Sequence, residues 1–270
     1  MSEIIITPKI QSNVPLEIPN VKPDVFAGKS IDEIKEVEIY QGNEIVKLSE
    51  FFEVEGESAE TPGEIKIIID GDASNIKRIG QGMTAGEIIV KGDVSMYVGL
   101  DMKGGKITVE GNAASWAGQT MKGGELEIMG SAGDYVGSSY RGDWRGMSGG
   151  FITIHGNVGY EIAEYLSGGK IVVKGNANHM PGIHMNSGVL IIEGNVTSRT
   201  GGEMSGGTII VKGVMDEFLA GFKYLGIERD IQVNGEDIPG VFYKFTGDYA
   251  IKGAHGTVYV AVAGNKHIVP

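Results

Sequence analysis

Gly99-Leu-Asp-Met102-Lys-Gly-Gly105-Lys-Ile107-Thr-Val109-Glu-Gly111-Asn112 is one copy of a repeat that runs through most of this chain. The same frame precedes it as Gly80, Met83, Gly86, Ile88, Val90 and Gly92, and follows it as Gly118, Met121, Gly124, Leu126, Ile128 and Gly130. Two later copies read Gly182, Met185, Gly188, Leu190, Ile192, Gly194 and Gly201, Met204, Gly207, Ile209, Val211, Gly213. Two are altered. Trp144 takes the place of the first glycine ahead of Met147, and Ala163 and Leu166 replace glycine and methionine ahead of Gly169. With a weaker copy at Ile67 and Ile69, the closing glycines fall at 71, 92, 111, 130, 156, 175, 194 and 213, in steps of 21, 19, 19, 26, 19, 19 and 19.

A self-similar period of about 20 residues marks stacked units, none of which buries a core by itself. Ile-x-Val alternates with period two, which is strand and not helix. The glycines before it and the Gly-Asn or Gly-Asp after it are turn chemistry, free to take φ > 0 or to bond nearby backbone. The expectation is an all-β fold: a right-handed parallel β-helix of about 19 residues per coil with a cap at each end. Eight coils about 4.8 Å apart would run on the order of 35 Å. A left-handed hexapeptide helix needs a small aliphatic residue every six, and the series Ile107, Ala113, Gln119 breaks that rule. Met102, Met121, Met147, Met185 and Met204 are expected to line up inward as an unbranched filler ladder. Asn112, Asn157, Asn176 and Asn195 are expected to stack at one corner, each satisfying the next turn.

Composition agrees with a repeat of this kind. Glycine is 44 of 270 residues, against a usual ~7 %, and no Gly-x-y triplet accounts for it. The net charge of −12 disfavours nucleic acid and anionic membrane as partners, since either calls for a basic face. There is no cysteine, hence no disulfide, thiolate-ligated cluster or cysteine zinc site. The first residues carry no basic stretch followed by a long apolar run, and nothing approaches ~18 consecutive apolar residues, so a cytoplasmic location is expected.

Residues 1–60, with Pro8, Pro15, Pro19 and Pro23, read as an extended arm and N-terminal cap that includes a hairpin over Val37–Leu48 and a turn capped by Ser49. Residues 61–215 are the repeat domain. Residues 216–270 read as a second cap, with a hairpin at Asn234-Gly235 and further strands after it. The step of 26 places an outward insertion within Gly137–Gly146, which holds Tyr140, Arg141, Trp144 and Arg145, residue types enriched at interface hot spots. The residues between the two inward positions of each strand point out. In the last repeats these are Val172, Ile191 and Ile210, an apolar stripe that has to be covered by the 216–270 segment or by a partner.

Catalytic signatures are missing. Gly146-Met-Ser148-Gly-Gly150 has nucleophile-elbow spacing, but Met204-Ser-Gly-Gly207 repeats it as an ordinary turn of the frame. No glycine run is followed by Gly-Lys-Ser/Thr. His179 and His184 are placed by the repeat on different sides of a unit, and His155 occupies an outward position. No metal-ligand set results, and the residues by themselves describe a scaffold.

The repeated Gly-x-x-Met-x-x-Gly-x-Ile-x-Val-x-Gly resembles the C subunits of formylmethanofuran dehydrogenases over nearly the whole chain. The repeat domain is also similar to the carboxy-terminal β-helix domain of the glutamate synthase large subunit and to the C subunit of the methylotroph formyltransferase/hydrolase complex. The first resemblance implies a non-catalytic subunit of a complex that reduces CO₂ with ferredoxin electrons and joins it to methanofuran in methanogenesis. It implies that a molybdenum or tungsten pterin, iron–sulfur clusters and a binuclear zinc site lie on partner subunits, the zinc on an amidohydrolase-like one. The formyltransferase/hydrolase complex, which lacks redox subunits, and a free-standing binding module remain alternatives. A carbohydrate-binding module would present an aromatic platform, whereas the outward strand positions mix Lys, Glu, Thr, Ile and Val.

Overall fold

The computed structural model describes residues 1–10 and 12–269. The chain opens with β1 (Ser2–Pro8), β2 (Leu16–Glu17), β3 (Glu38–Gln41), β4 (Glu44–Lys47) and β5 (Phe52–Gly56), interspersed with the short helices α1 (Pro23–Phe26), α2 (Ile31–Lys35) and α3 (Leu48–Phe51). The repeats supply β6 (Ile65–Ile69), β7 (Ile76–Lys77), β8 (Glu87–Val90), β9 (Lys103–Val109), β10 (Gly123–Ile128), β11 (Ser148–Ile154), β12 (Gly168–Val173), β13 (Val189–Ile192) and β14 (Thr208–Val211). Two long strands follow, β15 (Lys223–Val233) and β16 (Glu236–Gly247), and then β17 (Gly256–Ala261).

Thirteen of these strands form one mixed sheet in the order β15-β16-β17-β14-β13-β12-β11-β10-β9-β8-β6-β1-β5, and β4-β3-β2-β7 form a second, four-stranded sheet. Within the large sheet each repeat strand pairs in parallel with the next, residue against equivalent residue: Ile88 with Ile107, Ile107 with Leu126, Leu126 with Ile152. The period therefore sets the pairing register. Both ends are antiparallel, β5 on β1 and the β15–β16–β17 meander at the other side.

This corrects the fold expected from the sequence. The right-handed parallel β-helix is not what the structure shows; it is a large mixed sheet of 13 strands with few helices. The period fixes which strands are neighbours, and it fixes neither the sense of the end strands nor a second strand in each unit. The limb that returns from one repeat strand to the next, which a β-helix coil would also build as strand, cannot be one. In the Gly99 repeat, Tyr97, Gly99 and Asp101 have φ of 69°, 70° and 54°, and left-handed residues at alternate positions are incompatible with extended pairing. Among the described residues, the return limbs of neighbouring repeats meet through single parallel bridges, such as Ala73 to Val94, Val94 to Ala113 and Ala177 to Val196.

The reading of the first residues also needs correction. β1 is no arm lying on a surface: it pairs with β6 on one side and β5 on the other, with Ile4 and Ile6 fully buried. Ser49 lies inside α3, which begins after Lys47. The Val37–Leu48 hairpin is present as β3 and β4, and the Asn234-Gly235 turn joins β15 to β16.

The methionines Met83, Met102, Met121, Met147, Met185 and Met204 are all fully buried. The asparagine corner works through the backbone. Asn157 Oδ1 accepts the Asn176 N–H, Asn176 Oδ1 that of Asn195, and Asn195 Oδ1 that of Val214, each at 2.8 Å. Each turn thus satisfies an amide of the following repeat that the parallel ladder leaves unpaired.

Candidate functional site

The left-handed positions of the return limbs build the most distinctive surface of the molecule. Arg78, Tyr97, Trp116 and Tyr135 follow one another at 19-residue intervals, with φ between 63° and 69°. Equivalent backbone turned the same way at equivalent heights brings their side chains into one row. The Tyr97 and Trp116 ring centroids are 5.3 Å apart and nearly parallel, and Trp116 and Tyr135 are 5.2 Å apart. The Arg78 guanidinium lies 5.2 Å from the Tyr97 centroid and that of Arg141 5.9 Å from Trp116. Stacked rings cover each other's faces and leave edges outward, so the row is not the open-faced platform that a sugar ring requires. The signal for this row in the sequence is the 19-residue spacing of its aromatics, which the more conspicuous Ile-x-Val strands overshadow.

The inserted loop sits beside this row. Buried Gln119 donates from Nε2 to the Ser139 carbonyl at 2.8 Å, and the Thr120 N–H reaches the Ser138 carbonyl at 3.0 Å, which fixes the point where the loop departs. Gly146 N–H to the Tyr165 carbonyl, 3.1 Å, fixes its return. Between these anchors Tyr140 and Trp144 are 67 % and 68 % exposed, very high for rings of that size. Arg145 holds Asp143 with two bonds, 2.9 and 2.7 Å, keeping that carboxyl below its ordinary range, and its guanidinium lies 5.6 Å from the Trp144 ring. Trp144 is thus part of the insertion and does not fill the repeat's glycine position. Gly137 does, at φ 66°, where an added Cβ would come within 2.5 Å of Ile171 Cδ1.

Tyr140 forms a wall of an open groove of about 740 Å³ that also meets Arg78, Tyr97, Lys122 and Arg145. The groove continues past Gln81 and Asp101 to Lys22 and Lys103. Burial lowers the Lys22 ammonium from the ordinary lysine range, and its Nζ donates to the Gln81 carbonyl at 2.8 Å. Under the loop, burial first and the neighbouring Glu161 second raise the carboxyl of Glu164.

The apolar stripe has a different fate from the loop. Ile191 and Ile210, 5 % and 0 % exposed, pack with Ile231, Ile238 and Phe242 of the β15–β16 hairpin, and Val172 lies against the edge of that cluster. The hairpin tip reaches back as far as β12, where Glu236 pairs with Lys170. Val172, Ile191 and Ile210 therefore lie under the chain's own C-terminal segment, and the structure does not bring them together with Tyr140, Arg141, Trp144 and Arg145. The histidines are apart as well: His179 bonds Ser198, His184 lies 3.7 Å from Glu203, and His155 lies 3.1 Å from Glu127. Among the described residues no three His, Cys, Asp or Glu side chains converge as a metal-ligand set.

No helix among the described residues is long and apolar enough to cross a membrane. No family model matches the chain. Over its full 270 residues it is 72 % identical to the C subunit of the tungsten-containing formylmethanofuran dehydrogenase 2 of Methanothermobacter thermautotrophicus, whose whole length it covers. It is 45 % identical to the C subunit of the molybdenum-containing formylmethanofuran dehydrogenase 1 of Methanosarcina barkeri over 98 residues, 36 % of this chain and 33 % of that one. Among solved structures, one chain of the formyltransferase/hydrolase complex of Methylorubrum extorquens, crystallised with methylofuran, superposes with a TM-score of 0.82 over 96 % of this chain and 99 % of its own. At 22 % identity that likeness speaks for the fold. Full-length identity at this level settles the family: the chain belongs to the C subunits of formylmethanofuran dehydrogenases.

Proposed function

We propose that this chain is the structural subunit of a tungsten-containing formylmethanofuran dehydrogenase, holding in place the subunits that reduce CO₂ and join it to methanofuran. The observation that carries this reading is the end-to-end match to C subunits of tungsten enzymes, against a match of about a third of the chain to a molybdenum-enzyme relative. The donor inventory supports the division of labour. Without cysteine the chain offers no thiolate to an iron–sulfur cluster or to a pterin-bound metal, and its histidines 179, 184 and 155 are engaged singly with Ser198, Glu203 and Glu127. Pterin, clusters and binuclear zinc then belong to partner subunits, and Tyr140, Arg141, Trp144 and Arg145 form the contact to one of them.

The test is capture through a tag on this chain from cells grown and broken without oxygen. The expected result is co-purification of iron–sulfur, pterin and amidohydrolase-like subunits with tungsten in the bound fraction. The chain purified alone should hold less than one metal per molecule after dialysis against chelator and should not turn over formylmethanofuran. A formyltransferase captured without any pterin subunit would move the chain to the hydrolase complex. Stoichiometric metal on the isolated chain, or turnover by it, would end the structural reading.

A further inference from the structure

Resting on the partner role proposed above, we infer that the groove beside the Tyr140–Arg145 loop docks a carboxylate-rich surface of another subunit, with Lys103 and Arg141 as the cations that meet it. The chain carries a net charge of −12, yet the walls of this continuous groove bear Lys22, Arg78, Lys103, Lys122, Arg141 and Arg145, against the carboxylates of Asp101 and Asp143. Such a concentration of one sign on a molecule of the other is charge complementarity awaiting an acidic partner.

Three of the cations are already neutralised inside the chain. Arg78 pairs with Glu17 at 2.7 Å, Lys122 with Asp101 at 2.8 Å and Arg145 with Asp143 at 2.7 Å. Lys103 and Arg141 are exposed and have no ion pair among the described residues. Lys22 spends its hydrogen bond on the Gln81 carbonyl. Arg141 lies against the Trp116 and Tyr135 rings, and the carboxyl that feels it, Glu164, lies half-buried beneath the loop. The unpaired cations are therefore at the two ends of the groove, with the exposed ring of Tyr140 in its wall and that of Trp144 in the same loop, between Asp143 and Arg145.

A macromolecular surface fits this shape better than a small ligand, which would be buried over most of its area in a closed pocket. A second copy of this chain does not fit. A two-fold contact sets the same patch against itself, and here that would bring Lys103 and Arg141 of one copy against those of the other. An acidic surface meeting separated cations, with aromatic anchors between, satisfies both the charge and the apolar rim.

The test uses the whole complex, captured through a tag on this chain at low salt. Lys103→Glu combined with Arg141→Glu should lower the captured partner by roughly tenfold or more, since like charges then face each other across the contact. Lys252→Glu combined with Lys266→Glu, an equal change of charge on the exposed C-terminal segment, should capture as the unaltered chain does. Circular dichroism and melting of each variant separate lost docking from lost folding. Carbodiimide coupling of the unaltered complex, read by mass spectrometry, should join Lys103 to an aspartate or glutamate of another subunit. Undiminished capture by the double reversal overturns the inference and leaves the structural role intact, as do couplings from Lys103 only within this chain or to a second copy. Failure of the unaltered chain to capture any other subunit overturns both.

Discussion

Replacing Ile210 by threonine tests whether the C-terminal hairpin is an integral part of the fold. Ile210 is fully buried between β13 and β17, and its outward side chain packs with Ile231, Ile238 and Phe242. Threonine removes apolar volume worth about 1.5 kcal/mol at roughly 0.8 kcal/mol per buried methylene. It also buries a hydroxyl among hydrocarbon, a further cost of about 1–3 kcal/mol without a partner. The expected loss is therefore about 2.5–4.5 kcal/mol, and a melting temperature lower by roughly 5–18 °C at 2–4 °C per kcal/mol. Ile227→Thr is the matched control: it lies on the same hairpin but is 54 % exposed, so its effect should be within about 0.5 kcal/mol. Urea unfolding of the isolated chain measures both. Hydrogen exchange should show the β15 and β16 amides losing protection before those of β9 and β10, because the lesion is local. Ile191 faces Ile210 directly across the ladder, so Ile191→Thr should not add its full cost in the double variant. Equal shifts for Ile210→Thr and Ile227→Thr would refute the covering role of the hairpin.

Met121→Lys should cost several kcal/mol by placing an unpaired ammonium in a fully buried row, whereas Lys122→Met, which removes only an exposed pair with Asp101, should change the melting temperature little; equal shifts would mean a wrong register. Asn176→Ala removes the acceptor of the Asn195 N–H at an exposed turn and should destabilise by about 0.5–1.5 kcal/mol in urea unfolding, with Asn176→Asp recovering most of it. Bonds from His155 first and Lys106 second keep the Glu127 carboxyl below the ordinary carboxylate range. Its contribution is accordingly complete above the unfolded-state pKa and is lost as pH falls through the lower folded value, so Glu127→Gln should lower stability in the neutral region, converge with the unaltered chain at low pH, and thereby flatten the acid side of the stability curve. A pH profile unaltered by that substitution would remove Glu127 from the acid transition.

The sequence revealed the neighbours of each strand because glycine spacing and Ile-x-Val alternation are local and periodic. Ile88, Ile107, Leu126 and Ile152 pair where their positions in the repeat say they should. Closure of the unit was not legible, since it turns on residues such as Tyr97 and Asp101 that adopt left-handed backbone without being glycine. Propensity gives no warning there; stacked neighbours impose the conformation. The protrusion of Tyr140 and Trp144 could be inferred from the 26-residue step, because the residues beyond the usual 19 cannot enter a packed row of methionines. The cationic groove could not. It joins Lys22, from the segment before the repeats, to Lys103 and Arg141, which lie two repeats apart, a proximity that only the folded chain creates.

The loop between β10 and β11 has a consequence for how this surface can change. Glu125 pairs with Phe151 and Leu126 with Ile152 across a 26-residue step, in the same relation that Lys106 and Glu125 keep across 19. The added length was accommodated without disturbing alignment on either side. Length at this corner is thus mechanically uncoupled from the strands: the chain can lengthen, shorten or recompose what it displays there while the structure underneath keeps its alignment. In a protein whose every layer rests on the one before, that corner is a place where recognition can drift quickly and architecture need not follow.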